Sequence, residues 1–279
     1  MKDMGLWILM AYNDFHRKNY LAPVPYLINH FIYDYDIRKA NLNIFYNKGM
    51  IDEETFNLIS TTFDRNQREM YFGLLQKDKS ISDAYGEALA EYRERFITEN
   101  NIDDMHLLSV KNDAICTIDL PCYNTVFDNG VEFVLKNIYT SYFNINRLEI
   151  YYYLDQINNK EVIDIKGIND KKLVLHHGYM LDFLCNIFES IQTELVEDTL
   201  KFILDFQKKY INRELPLGFY RELNSDSCYR VSSKNGTQSL WQTWNEKDIG
   251  YLNIITNLNI IRHLYSIVSN IYFNRIMKN

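Results

Sequence analysis

The hydrophobic period of the chain switches twice, and those switches constrain its fold more than any other feature. IDEETFNLIS (Ile51–Ser60), RNQREMYFGLLQ (Arg65–Gln76) and ISDAYGEALAEYRERFITEN (Ile81–Asn100) repeat their apolar residues at helical spacing. The last of these sets Ala84, Ala88 and Tyr92 along one side. MHLLSVKNDAICTI (Met105–Ile118), VEFVLKNIYTSYFNI (Val131–Ile145), RLEIYYYLD (Arg147–Asp155) and EVIDIKGI (Glu161–Ile168) are β-rich. From Lys171 the helical period returns, in VLHHGYMLDFLCNIFESI, LVEDTLKFILDFQKKYI and the C-terminal YLNIITNLNIIRHLYSIVSNIYF. Glu214 to Asp248 reads as loop. The expectation is an α+β protein, with a mixed part over 1–170 and a mostly helical part over 171–279.

Composition excludes several classes. Of 279 residues, 47% are apolar and 24% charged, which describes a folded chain with a core rather than a disordered one. A net charge of −7 argues against a surface coated in nucleic acid, though not against a local basic groove. Cys116, Cys122, Cys185 and Cys228 have neither C-x-x-C nor Cys-His spacing, so a zinc site is not expected and a reduced compartment is. GLWILMA near the N-terminus is too short for a membrane span and reads as a buried strand. With 22 tyrosines in the chain, no lone Tyr carries weight.

The first candidate for chemistry is FIYDYDIRKANLNIF (Phe31–Phe45). Asp34 and Asp36 are two apart, so a strand directs both to one face. That face is either solvated or holds something cationic. DIRKANLNIFYNKG then turns into a short helix stopped by Gly49. The second candidate is the hairpin, whose apolar runs are separated by Lys111-Asn112, so that Asp113 begins the return strand. Alone, Asp113 is an ordinary turn residue whose side chain bonds local backbone. Together, one acid from each of two neighbouring strands can hold divalent ions roughly 3.5–4 Å apart. Arg65 and Arg68 share a helix face and suit a phosphate, or are simply solvated. His176-His177 suits a cap or the core, since adjacent helical residues diverge. WQTW (Trp241–Trp244) suits a core or partner contact.

In this order, the motifs resemble the palm of family B DNA polymerases over roughly residues 28–170. DIRKAN aligns Asp36 with that family's metal-binding Asp. RNQREMYFG aligns Arg65 with its phosphate-binding Lys and Phe72-Gly73 with its aromatic-Gly pair. KNDA keeps the second Asp of its Asp-Thr-Asp-Ser hairpin as Asp113, with Lys111 at the first. KNIY and IDIKGI look like its Lys-aromatic and Lys-Gly elements, with Lys136, Tyr139, Lys166 and Gly167. Asn41 stands where that family screens the sugar with a Tyr.

The resemblance implies an antiparallel-sheet palm with fingers-like helices inserted over about 48–100, then a thumb-like region; as a departure from that family, no room is expected before residue 30 for a proofreading exonuclease domain. It implies Mg²⁺ or Mn²⁺ on Asp36 and Asp113, supported by Asp34, and a nucleoside triphosphate on Arg65, Arg68 and Asn41. Lys136, Tyr139, Lys166 and Gly167 would meet a template–primer nucleic acid. The activity implied is nucleotidyl transfer to a nucleic-acid 3′ end, in the cytoplasm of a bacterium or virus-infected host, with no membrane partner. The alternative is a non-catalytic palm-like replication or interaction protein, such as a subunit of a split polymerase, to which Lys111 and the acidic net charge point.

Overall fold

A computed structural model describes residues 3–4, 19–145, 148–155, 157–158, 160–166, 180–193, 195–212, 214–215, 230–233, 236–239 and 251–278. The strands are β1 (Asp3–Met4), β2 (Tyr20–Leu21), β3 (Tyr26–Ile37), β4 (Leu107–Lys111), β5 (Ala114–Ile118), β6 (Phe133–Ile145), β7 (Leu148–Asp155), β8 (Lys160–Lys166), β9 (Arg230–Ser233) and β10 (Gly236–Ser239). The helices are α1 (Ala40–Asn47), α2 (Glu53–Thr62), α3 (Arg65–Leu75), α4 (Lys79–Glu99), α5 (Met180–Gln192), α6 (Val196–Ile211) and α7 (Tyr251–Lys278). The fold is α+β with an antiparallel sheet, as the periodicity requires. GLWILMA, His176-His177, Gly167, Cys228 and WQTW lie outside the described residues.

The chain forms two compact units, and its strands β3 and β6 each run from one into the other. One unit comprises residues 7–23 and 31–139. Its strands lie in the order β2-β4-β5-β3-β6. Four helices, α1 to α4, belong to this unit, and side-chain caps set the starts of three of them. Asp52 caps α2 by accepting from the Thr55 N–H at 2.8 Å, with Glu53 and Glu54 in the favourable first turn. Asp64 and Gln67 cap α3 reciprocally, each side chain accepting from the other's backbone N–H at 2.8 and 2.9 Å. Asp78 accepts from the Ser80 N–H at the head of α4. Helix α1 ends where Gly49 takes a φ of 65°, a conformation that only glycine adopts without penalty.

Two cores hold this unit. Tyr92, Phe96 and Ala88 of α4 pack on Tyr35, Ile115 and Phe133 of the sheet. Of the three residues expected along one side of α4, Ala88 and Tyr92 are buried and Ala84 is exposed; half-buried Tyr85, Leu89 and Phe96 complete the buried side. The second core joins α1, α2 and α3 through Leu42, Phe45, Ile59 and Phe72, with the Phe45 and Phe72 rings 4.8 Å apart. It fixes α3 against α1, which matters for the site below.

The other unit comprises residues 1–6, 24–30 and 140–279. Strand β1 pairs with β3, and β3-β6-β7-β8 follow in order. Val196, Thr199, Ile203, Phe206 and Tyr210 of α6 are buried at intervals of three and four, as an amphipathic helix requires. Phe188 of α5 stacks on Phe143 and Tyr152, at 4.3 and 5.1 Å between ring centres. Strands β9 and β10 form an antiparallel pair inside the stretch expected to be loop.

Candidate active site

Strands β3 and β5 are hydrogen-bonded neighbours, with Tyr35 opposite Ile115 and Asp36 opposite Ala114. One step further, the Ile37 N–H donates to the Asp113 carbonyl at 3.0 Å. Asp36 and Asp113 therefore stand side by side at one end of a β-ladder. The hairpin turn is Asn112-Asp113 rather than Lys111-Asn112, because Lys111 still pairs with Ala114. Asn112 takes the left-handed conformation, φ 47°, that Asn tolerates better than Lys.

Other residues pin this turn. The Asn112 N–H donates to Asn19 Oδ1 at 3.0 Å, and Arg93 Nη1 donates to the Asn112 carbonyl at 3.1 Å. Arg93 is only 5% exposed, on the buried side of α4. It belongs to none of the sequence motifs. The available signal was a guanidinium set among Leu89, Tyr92, Phe96 and Ile97. Burial raises the Asp113 carboxyl above its ordinary range, while its own backbone N–H and the Arg65 charge pull it down less strongly. Burial and, secondarily, the Asp113 charge push the Tyr85 phenol up.

The basic groups come from α3, β6 and the turn into α1. Arg65 opens α3 and pairs with Glu69 at 2.8 Å. Arg68 Nη1 donates to the Phe63 carbonyl at 2.8 Å. Asn41 Oδ1, in the first turn of α1, accepts from Gln76 Nε2 at 3.3 Å. Lys136 of β6 forms an ion pair with Asp36. These residues and Asp113 line one cavity of about 400 Å³, whose apolar wall includes Leu42 and Phe72. Its basic lining is Arg38, Lys39, Arg65, Arg68 and Lys136; its acidic lining is Asp36, Glu69 and Asp113. On a chain with a net charge of −7, this is a local basic pocket.

Asp34 is not in that lining. It is 4% exposed and accepts from Cys116 Sγ at 3.3 Å and Tyr139 Oη at 3.5 Å. Its face of the strand is therefore not solvated at this position, and Asp34 is not among the cavity's donors. Tyr139 is fully buried, so the expected contact with nucleic acid is corrected to a core role. Lys136, more than half exposed, meets an acid of the cavity, Asp36. Lys166 belongs to the other unit, where its ammonium lies 4.9 Å from the Tyr151 ring centre.

Among the described residues no three His, Cys, Asp or Glu side chains converge as a metal site. Two carboxylates are nonetheless enough for Mg²⁺ when substrate phosphates complete the shell, because this ion keeps waters and takes few protein ligands. The Asp36–Lys136 pair indicates that this corner of the cavity accepts a cation. The carboxylates available to such an ion are Asp36, now paired with Lys136, and Asp113.

Fold and site together define an α+β protein that gathers three acids, among them Asp36 of β3 and Asp113 of the β4–β5 turn, and five basic side chains in one cavity. The chain belongs to the family described as Bacteriophage PBS1 gene 130 protein, whose model matches residues 10–270. No curated protein matches it. Among the described residues no helix is long and apolar enough to cross a membrane.

Proposed function

We propose that this phage protein is a metal-dependent nucleotidyltransferase, a minimal polymerase with a family B-like palm that adds nucleotides to a nucleic-acid 3′ end. The observation that carries the reading is the cavity itself. Residues from four separate motifs (Asp36, Arg65, Asp113 and Lys136) line it together although they are up to a hundred positions apart in sequence.

In this reading Asp36 and Asp113 hold Mg²⁺ or Mn²⁺. When bound, that ion neutralises phosphate charge and acidifies the attacking 3′-hydroxyl. Arg65 offers a planar fork to the triphosphate, exchanging Glu69 for phosphate oxygens. Arg68, anchored on Phe63, sets the second positive charge one helical turn away. Asn41 lies at the sugar with its amide held by Gln76, and its small side chain leaves room for a ribose 2′-hydroxyl. Lys166 remains a candidate for the duplex backbone, where it would position without reading sequence.

The test is incorporation of a labelled nucleotide onto a primer end with Mg²⁺ or Mn²⁺. Asp113→Asn is expected to lower the rate at least 100-fold in a protein that still folds, and undiminished incorporation would remove Asp113 from the site. A second reading is favoured by one observation, Lys136 neutralising Asp36. It makes the chain a palm without chemistry that binds replication partners or nucleic acid. It predicts ligand binding with no incorporation under any metal.

A further inference from the structure

We infer that Lys136 is a tethered counter-ion that holds Asp36 until a nucleoside triphosphate enters, then moves to the phosphates as a divalent cation takes the acid. The inference rests on the metal-dependent reading above and assigns to Lys136 a role other than duplex binding.

The Asp36–Lys136 pair is unequally held. Its carboxylate is 14% exposed and fixed in the β3–β5 ladder, whereas the lysine side chain is 55% exposed on a four-carbon stem. Of the two partners, only Lys136 is free to leave. The cavity also determines when it leaves. Five basic side chains face three acidic ones, and with Arg38 also paired to Glu132 outside the lining one positive charge is still in excess, so a lone divalent cation would add charge to an already positive pocket. A cation–triphosphate complex carries net negative charge and matches it. Once phosphate is present, Lys136 has an anionic alternative inside the same cavity, alongside Arg65 and Arg68. Cation and triphosphate therefore bind with positive coupling, and Lys136 is the group through which part of that coupling runs.

The test is titration of Mn²⁺ into the full chain, followed by the paramagnetic signal of the free ion, with and without a non-hydrolysable nucleoside triphosphate. Lys136→Met is expected to bind Mn²⁺ at least ten-fold more tightly than the wild type without triphosphate. Added triphosphate should tighten the wild type by a similar factor and the variant much less. Lys136→Arg, which keeps the charge, should behave as the wild type. Adding Asp36→Asn to Lys136→Met should abolish the gain. Equal Mn²⁺ affinity in wild type and Lys136→Met would overturn the counter-ion role while leaving the metal site standing. No Mn²⁺ binding by either protein, even with triphosphate, would overturn the metal-dependent reading and this inference with it.

Discussion

Asp113 sits where burial and chemistry pull in opposite directions. Burial favours its protonated form, so its carboxyl titrates above the ordinary range, and Arg65 only partly offsets this. A carboxyl raised in the folded state contributes stability that is fully present below its unfolded value and lost as pH rises through the folded value. At neutral pH the ionised Asp113 therefore weakens the fold. Asp113→Asn is expected to melt above the wild type at pH 7, with the gap closing as pH falls below the ordinary carboxylate range. A Tm series against pH measures this, and a variant melting lower at pH 7 would contradict it. Residue identities were legible at this scale, but partners were not. Nothing in KNIY signals that Lys136 meets Asp36 or that Tyr139 is buried, because both facts depend on β6 lying beside β3.

At the scale of elements, the geometry of the cavity depends on how α3 begins. Arg65 and Arg68 occupy its first turn, and the reciprocal Asp64–Gln67 cap holds that turn in place. Asp64→Ala is expected to cost about 1 kcal/mol of stability. It should also weaken triphosphate binding several-fold with no change at the acids. Calorimetric titration with the triphosphate, beside a urea melt, separates the two effects; unaltered affinity would mean that α3 does not hold the phosphates. Helices α2 to α4 and strands β6 to β8 were readable because period, caps and turn residues agree there. The turn at Asn112-Asp113 was displaced by one residue because Lys111 is as acceptable in a ladder as in a loop. The β9–β10 pair lies where loop is expected because Arg230–Ser239 is polar and lacks the alternation that marks a strand.

For the whole molecule, a basic cavity on an acidic chain is the feature that composition alone concealed. Net charge averages over the surface, whereas a ligand meets the local field. The α+β class followed from the switches of period, yet composition does not divide the two units, since two of the passages between them fall within β3 and β6. There, residues must satisfy a ladder and have no reason to be Gly- or Pro-rich. Membership of a bacteriophage family is compatible with a replication enzyme and prescribes none. The measurement that tests the account most directly is a crystal of the whole chain soaked with Mn²⁺ and a non-hydrolysable nucleoside triphosphate, read by anomalous scattering. The account predicts manganese between Asp36 and Asp113, phosphates on Arg65, and Lys136 withdrawn from Asp36. A cavity without metal or triphosphate at saturating concentrations, with Lys136 still on Asp36, would contradict it.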